Sequence, residues 1–443
     1  MILGKHKQCG NTTDTDVACY APYTNLNFEQ NGNVSACCYN RAFSYGNIKT
    51  KSLKEIWFGD APRRLSTYLN SHDFSKGCHS CGECLGNGNR QNSFAHNFDA
   101  LSGYVDHSDK EVYPVSMEFE LDNTCNLACV MCNGYFSSTI RHEVEGLAPI
   151  NSPYDQSFTE QLIPFIPHLK QTKFLGGEPF LIRNYYSIWN ELKNQSYKGT
   201  VSVTTNGTII SDKVKELLSA LDFVISLSID SFNKEVYDRI RLRSNFEKVM
   251  ENLDFFKSYM HARGRTLSVA YCPMVINAHE IINDFNYCNA NAIELKINST
   301  IQPARYSLKY LPKSKLLPMI ENFKASELIN GDNETVNKHN TWEYQKFIIE
   351  ISMWANETGN DRKNTLGPFS SIQQIEASLP YMDLTAAGSE NWNIFLKMLS
   401  DKIIDNQKFF LYLNVWGLEH FSREITSTDI ALLSEYLPLR INA

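Results

Sequence analysis

The order of apolar and polar residues is most regular between residues 115 and 300. There, short apolar segments with the alternation of half-buried strands are separated by longer segments with helical spacing. The predicted strands cover residues 115–121, 171–175, 200–205, 223–229, 267–275 and 292–297, and the helices between them include residues 212–221 and 234–257. Alternating strands and helices form parallel sheets, so this region is predicted to be an α/β domain of six βα units, as in a partial (β/α)6 barrel.

The region in front of it, residues 1–90, has a different pattern. Residues 21–28 alternate as a strand, Asn31-Gly32-Asn33 is typical of a tight turn, and residues 34–38 form the predicted return strand. Residues 52–69 have helical spacing, with Ser52 as the expected N-cap. The pattern predicts a small domain built from a β-hairpin and a helix.

Two further regions are predicted from composition and spacing. Residues 85–113 are rich in glycine, asparagine and serine, and residues 91–113 are predicted to be a linker. Residues 301–443 are predicted to be α-rich, with helices at residues 311–328, 342–357 and 391–404 and a buried strand at residues 409–416. A partial barrel has an open side, and this C-terminal region is a candidate for capping it or for binding substrate.

Composition narrows the classes of function. The chain has 443 residues, 42% of them hydrophobic, and a net charge of -7. It contains no lysine- or arginine-rich run, so charge does not suggest a nucleic-acid partner. No segment has the apolar length of a membrane span or of a signal peptide, and a cytoplasmic protein is predicted.

The twelve cysteines are clustered, which in a reducing compartment is more typical of metal binding than of disulfides. Cys125, Cys129 and Cys132 lie in one short loop directly after the strand predicted at residues 115–121. Three thiolates suit zinc or an iron–sulfur cluster. Structural zinc takes four protein ligands, whereas a cubane held by three cysteines leaves one iron open to a ligand.

A second set of thiols lies in the N-terminal region. The predicted hairpin brings Cys19 and Cys37 toward one end, and Cys78 and Cys81 form a CxxC pair. Four thiols are enough for a complete iron–sulfur cluster, or for the alternative of a zinc ribbon. Cys38 and Cys84 are each either a spare thiol or a replacement for a neighbouring ligand.

Most of the predicted barrel strands are followed by residues able to bind a ligand, and ligands bind at the carboxyl ends of strands in such folds. The residues concerned are Gly176, Gly177 and Glu178 after the second strand, Thr205 and Asn206 after the third, Ser228 and Asp230 after the fourth, Arg241 in the following helical segment, and Asn277 after the fifth. Each has an ordinary structural alternative, such as a turn or a helix cap.

The triplet C-x3-C-x2-C after a first strand resembles the signature of the radical SAM enzymes. The resemblance implies a [4Fe-4S] cluster on Cys125, Cys129 and Cys132, with S-adenosylmethionine bound at its open iron. It also implies that the motif at Gly176, Gly177 and Glu178, with its exposed backbone amides, binds the methionyl amino group, that Thr205 and Asn206 lie near the ribose, and that Arg241 faces the methionyl carboxylate. Met131 stands where the family usually has an aromatic residue, and can pack on the adenine.

The N-terminal region resembles the Twitch and SPASM domains that accompany many radical SAM enzymes. It has Cys19, twelve residues, Gly32, four residues and Cys37, then Gly-Asn-Ile, a helix with Ile-Trp, and the CxxC pair. The resemblance implies a second, auxiliary [4Fe-4S] cluster on Cys19, Cys37, Cys78 and Cys81. The order departs from the family, because this module usually follows the barrel.

The resemblance implies reductive cleavage of S-adenosylmethionine to a 5′-deoxyadenosyl radical that abstracts hydrogen from a substrate. A peptide or protein substrate is expected, modified by crosslinking, epimerisation or oxidation, with a flavodoxin- or ferredoxin-type electron donor. Cys272, on the fifth strand, is a candidate hydrogen donor or a small buried apolar residue. The alternatives are a carbohydrate or small-metabolite substrate, and a zinc-stapled binding scaffold without enzymatic activity.

Overall fold

The computed structural model describes residues 17–105, 112–356 and 392–398, with the single positions 401, 409 and 421. Within these residues the strands β1 to β9 span Asn25–Phe28, Asn33–Ser35, Gly46–Asn47, Ser116–Phe119, Gln171–Phe174, Thr200–Thr205, Asp222–Ser228, Ser268–Tyr271 and Glu294–Ile297. The helices α1 to α13 span Ala21–Thr24, Leu53–Trp57, Asp60–Asn70, His79–Gly86, Ser138–Glu143, Gln156–Leu162, Arg183–Asn194, Asp212–Ala220, Lys234–Ile240, Phe246–His261, Ile281–Ala290, Lys313–Ala325 and Glu334–Asn356. Short 3₁₀ helices span Arg90–Asn92, Phe94–Tyr104, Ile166–His168, Pro179–Leu181 and Leu308–Tyr310.

Strands β4 to β9 form the predicted parallel sheet, in chain order and with each strand beside the next. All six predicted strands are confirmed, and β6 begins and ends where the alternation predicted. On β7 the side chains of Phe223, Ile225 and Leu227 are buried in the core, while the residues between them are only partly buried. Alternation with period two therefore separates the helix-facing core from the inner surface of the partial barrel.

The N-terminal hairpin belongs to the same sheet. Strand β1 pairs in parallel with β4, from Asn25 opposite Ser116 to Phe28 opposite Phe119, and β2 and β3 continue the sheet outward. The rings of Phe28 and Phe119 stack with their centroids 5.2 Å apart. The predicted small domain at residues 1–90 therefore shares its sheet and core with the barrel, and the linker predicted at residues 91–113 stays a prediction.

Local signals explain where the observed helices depart from the predictions. Residues 21–24, predicted as strand, form α1, which has Pro22 in its first turn, where the fixed φ of proline suits a helix. Ser52 and Glu55 form the capping box of α2, and Gly59 then separates α2 from α3. A Cβ atom on Gly59 would lie 2.6 Å from the carbonyl oxygen of Glu55, so a larger residue would obstruct this break.

The single helix predicted at residues 234–257 is two helices. Helix α9 ends at Ile240, and Asn245 caps α10 by accepting a hydrogen bond of 2.7 Å from the backbone amide of Lys248. Arg243 has a φ of 73° in the break. The break places Arg241 at the end of α9, facing the cysteine loop described below.

The C-terminal helices seal the free edge of β9. Asn340 on α13 accepts a hydrogen bond of 2.8 Å from the amide of Leu295 and donates one of 2.9 Å to the carbonyl of Ile293. Glu343, one turn later, accepts from the amide of Ile297 at 3.3 Å. These side chains satisfy backbone groups that an open edge strand would expose. The predicted capping of the open side is supported at this edge.

Three remaining expectations concern the C-terminal region and the membrane. The predicted helices at residues 311–328 and 342–357 are confirmed as α12 and α13, and residues 392–398 are helical. The strand predicted at residues 409–416 lies outside the described residues, apart from Phe409, which is helical. Within the described part of the chain, none of the helices has the length and apolar character needed to cross a bilayer.

Candidate functional site

The loop that carries Cys125, Cys129 and Cys132 follows β4 and is pinned by its backbone. The amides of Ala128 and Val130 donate to the carbonyls of Leu242 and Ile240 at the end of α9, at 3.1 and 2.9 Å. On the other side, the hydroxyl of Thr139 donates to the carbonyl of Cys125 at 2.7 Å. The backbone polar groups are therefore used within the protein, and the thiols, which form no disulfide, remain available as ligands.

The predicted glycine motif after β5 packs against this loop. The amides of Gly177 and Glu178 donate to the carbonyls of Asp122 and Thr124, at 3.2 and 2.7 Å. A Cβ atom on Gly177 would lie 2.3 Å from the carbonyl oxygen of Thr124. The sequence had suggested that these two amides are exposed to a ligand, but they are not. Glycine is needed here because two backbones approach closely. The role of Gly176 and Gly177 in cofactor binding stays a prediction.

Glu178 is buried and ties the second strand end to the third. Its carboxylate accepts hydrogen bonds of 2.7 Å from both the Thr205 hydroxyl and the Asn206 amide. Burial raises the pKa of Glu178 to about 7, although these hydrogen bonds act in the opposite direction. The Asn206 side-chain nitrogen in turn lies 4.0 Å from the sulfur of Cys125. The structure thus brings three predicted cofactor residues together beside the cysteine loop.

Asp230 and Arg241 form a buried ion pair at the other side of the loop. Nη2 of Arg241 lies 2.8 Å from the Asp230 carboxylate, and Nη1 lies 3.9 Å from the sulfur of Cys129. Burial opposes the charge of Arg241, but Asp230 and Cys129 raise the pKa of its guanidinium, so it remains a cation. Its buried Nε has no hydrogen-bond partner among the described residues. A buried cationic donor without a partner beside a thiol fits an anionic ligand at this place.

Met131 and Cys272 lie among apolar side chains. Met131 and Cys272 pack with Val130, Ile276 and Tyr306 against an apolar cluster of Val236, Ile240 and Met274. Contact between Met131 and the adenine stays a prediction. Sequence reasoning missed Val130, Ile276 and Tyr306, because apolar residues in loops carry no periodic signal.

Two strand-end residues differ in what they offer. Ser228 is half-buried on the inner side of β7. Asn277 is fully buried, and its side-chain amide donates to the carbonyls of Asp230 and Cys272, while its oxygen accepts from Met274. These hydrogen bonds shape the turn after β8, and the role of Asn277 in cofactor binding stays a prediction.

Because the thiols of the loop are buried, they need a bound cation to be present as thiolates. Burial raises the pKa of Cys129 to about 11, and it raises the pKa of Cys125 and Cys132 as well. Bound metal reverses this preference because a coordinated thiol is deprotonated. The donor set therefore fits a metal cluster held by three thiolates.

The N-terminal thiols also converge. The pKa of Cys37 is raised by burial and by the neighbouring thiols Cys38, Cys78 and Cys19, and that of Cys78 by burial, Cys19 and Cys81. The side chain of Asn40 donates to the sulfur of Cys78 at 3.0 Å. These contacts support the predicted set of four. Within the described ranges, no three or more His, Cys, Asp or Glu side chains are arranged around a single metal ion.

The two ambiguous thiols differ from this set. Burial, followed by the carboxylate of Glu118, raises the pKa of Cys38 to about 12, and the other groups acting on it are Lys173, Arg41 and Glu120. The thiol of Cys84 donates weakly to the carbonyl of Asn92 at 3.8 Å. Cys38 also acts on the adjacent Cys37, so its assignment as a spare thiol or as a replacement ligand stays as the sequence left it.

Arg41 links the two groups of cysteines and was not singled out in the sequence. Its Nε donates to the carbonyl of Cys38 at 2.9 Å, its two terminal nitrogens bind Glu120 at 3.1 and 2.8 Å, and Nη1 reaches the hydroxyl of Tyr135 at 3.2 Å. Cys38 follows a predicted auxiliary ligand, while Glu120 and Tyr135 flank the three-cysteine loop. Nothing local distinguishes this arginine in the sequence, because its partners are distant along the chain.

Fold and site together define a class: proteins in which a partial barrel of parallel strands carries a three-thiol loop at its carboxyl edge. Residues 120–288 match the model of the radical SAM superfamily, and residues 19–84 match the SPASM iron–sulfur cluster-binding domain. The chain therefore contains a radical SAM domain preceded by a SPASM domain. The cofactors that these domains carry are [4Fe-4S] clusters and S-adenosylmethionine.

The chain is similar to parts of several known proteins. It is 26% identical over 196 residues to the probable GTP 3′,8-cyclase of Methanocaldococcus jannaschii, which covers 44% of this chain and 61% of the cyclase. It is 28% identical over 149 residues to the mycofactocin maturase MftC of Mycolicibacterium smegmatis, 32% of this chain and 34% of the maturase. The solved structure of Streptococcus suis SuiB bound to S-adenosylmethionine has a TM-score of 0.36 at 13% identity, covering 61% of each chain. The chain thus spans less than two thirds of these proteins.

Proposed function

We propose that the protein is a radical SAM enzyme that cleaves S-adenosylmethionine reductively and abstracts a hydrogen atom from a peptide or protein. The observation that carries this proposal is the arrangement around Cys129. This thiol shares its loop with two further free thiols, and Nη1 of a buried guanidinium, whose Nε has no partner in the part of the chain that the structure describes, lies 3.9 Å from it. A zinc-stapled scaffold has no need for such a donor beside its metal.

Each residue has a distinct task in this proposal. Cys125, Cys129 and Cys132 would hold the cluster, Arg241 would bind the methionyl carboxylate in bidentate fashion, and Met131 would support the adenine. When bound, the cluster and S-adenosylmethionine supply the radical that removes hydrogen from the substrate. Glu178 keeps the second and third strand ends in register through Thr205 and Asn206, and so fixes the floor of the cofactor site.

The substrate is proposed from the kind of relatives the chain has. Similarity to a mycofactocin maturase and to a cysteine-type anaerobic sulfatase-maturating enzyme supports a peptide or protein. Similarity to GTP 3′,8-cyclases supports the alternative of a small metabolite, namely a nucleotide. The SPASM domain at residues 19–84 adds weight to the peptide, because domains of this kind accompany many peptide-modifying radical SAM enzymes.

The test begins with anaerobic reconstitution with iron and sulfide, iron counting, and an assay for 5′-deoxyadenosine. Two complete clusters give about eight irons per chain. We expect 5′-deoxyadenosine formation that is lost in Cys129→Ala and kept in Cys288→Ala, a matched change of a thiol buried in α11. Stoichiometric zinc and no 5′-deoxyadenosine would instead establish the scaffold. Precursor peptides and GTP, added in parallel, separate the two substrate classes by which one is consumed.

A further inference from the structure

Cys272 is tied to the cluster-binding loop through a chain of short contacts. Its backbone amide donates to Oδ1 of Asp230 at 2.8 Å, and Oδ2 of the same carboxylate lies 2.8 Å from Nη2 of Arg241. Nη1 of Arg241 then lies 3.9 Å from the sulfur of Cys129. The ion pair of Asp230 and Arg241 thus connects Cys272, directly after β8, with Cys129, a predicted cluster ligand.

The side chain of Cys272 faces the same place. It packs with Val130 and Met131 of the cysteine loop against one apolar cluster, and it is only partly buried. The charges that act on its thiol belong to Asp230, Arg241 and Cys129. Cys288, by contrast, is fully buried in α11, where burial and then the charge of Asp284 raise its pKa. Of these two thiols, Cys272 alone lies at the cofactor site.

A second observation points to a ligand here. Arg241 is only 6% exposed, yet its Nε donates no hydrogen bond within the described residues. A buried guanidinium stabilises extra negative charge in its surroundings. A cluster with four thiolates carries one more negative charge than a cluster with three, and Arg241 is placed to stabilise that charge.

We propose that Cys272 is a fourth protein ligand, which closes the open iron of the cluster on Cys125, Cys129 and Cys132 until S-adenosylmethionine displaces it. This rests on the proposed function. An iron–sulfur bond to Cys272 forms as the thiol proton leaves for solvent. Binding of the methionyl amino and carboxylate groups breaks that bond, and the thiolate takes up a proton; no electron is transferred. S-adenosylmethionine would thus replace a protective ligand.

The experiment uses the reconstituted full chain without S-adenosylmethionine. Brief, limited oxidation removes the iron that lacks a protein ligand, and electron paramagnetic resonance counts the resulting [3Fe-4S] clusters. We expect several-fold more [3Fe-4S] in Cys272→Ala and in Cys272→Ser than in the wild-type protein, and no increase in Cys288→Ala. Equal yields in the wild type and both Cys272 variants would overturn the proposal. The auxiliary cluster contributes equally to all samples.

Affinity supplies an independent readout. If Cys272 closes the iron in nine of ten molecules, removing it tightens the apparent Kd for S-adenosylmethionine about tenfold, because the competing state disappears. An unchanged or weaker affinity in both variants would count against the ligand. A hydrogen-donor role for Cys272 predicts neither effect. If the wild-type protein forms no cluster on Cys125, Cys129 and Cys132, the proposed function itself has failed, and iron counting shows this before oxidation.

Discussion

Gly177→Ala tests whether the glycine motif is needed for the close approach of the cysteine loop. The new Cβ atom would lie 2.3 Å from the carbonyl oxygen of Thr124 and 2.6 Å from that of Asn123, against at least 3.4 Å for ordinary contact. Both obstacles are backbone atoms, so no side chain can rotate away. The two segments must separate by roughly 1 Å.

The expected cost follows from the contacts that this separation disturbs. Overpacking against rigid neighbours costs about 1–3 kcal/mol. The hydrogen bonds from Gly177 to Asp122 and from Glu178 to Thr124 each contribute about 1 kcal/mol. A loss of about 3–5 kcal/mol is therefore expected, which is a large share of the stability of a typical domain.

Two assays separate the effects of Gly177→Ala. Urea unfolding of the cofactor-free protein measures the loss of stability, and iron counting after reconstitution measures the cluster. We expect about four irons per chain instead of about eight, because the auxiliary thiols are untouched. Gly103→Ala is the matched control, since nothing lies within 4 Å of its new Cβ. Wild-type iron content together with a stability change below about 0.5 kcal/mol would refute the reasoning.

Three further changes test other parts of the site. Cys38→Ser should keep about eight irons per chain, whereas Cys81→Ser should drop to about four. The reverse result would make Cys38 the cluster ligand and Cys81 the spare thiol. Burial raises the pKa of Glu178 from 4.5 to about 7, so the free energy of unfolding of the cofactor-free protein should fall as pH rises across this range. In urea titrations, Glu178→Gln should make this fall smaller by about 3 kcal/mol. An equal fall in wild type and variant would contradict the burial argument. Arg41→Met should cost about 3–5 kcal/mol in urea unfolding, because the buried carboxylate of Glu120 loses its cationic partner. Arg265→Met, which breaks a more exposed pair, should cost at most about 1 kcal/mol, and an equally small loss in Arg41→Met would contradict the argument.

The strands and the three-cysteine loop could be predicted from the sequence because their signals are local. Alternation over four to seven residues marks each strand of the barrel. The thiols carry their own chemical signature. The break between α9 and α10 also had a local signal, since Asn245 is a good N-cap and Lys248 stands at the position it caps. Longer helical spacing on both sides outweighed that signal in the prediction.

The pairing of β1 with β4 could not be read from the sequence. The sequence of neither strand indicates its partner, and the contact joins residues about ninety positions apart, from Asn25 to Ser116. The same holds for Arg41, whose partners Glu120 and Tyr135 are selected by the folded sheet. The sequence also did not indicate that the side chain of Asn277 donates hydrogen bonds to the backbone carbonyls of Asp230 and Cys272.

The order of the modules determines which edge of the barrel each one covers. A partial barrel has two free edges, at its first and its last strand, and both need partners. A hairpin that precedes the barrel in the chain reaches the first strand, β4, without crossing the sheet, and α13, which follows the barrel, reaches the last, β9. Because the cysteine loop leaves from β4, the N-terminal position brings the auxiliary thiols to the side of that loop. The contact through Arg41 is then a consequence of chain order, and a SPASM domain placed after the barrel would start from the opposite edge.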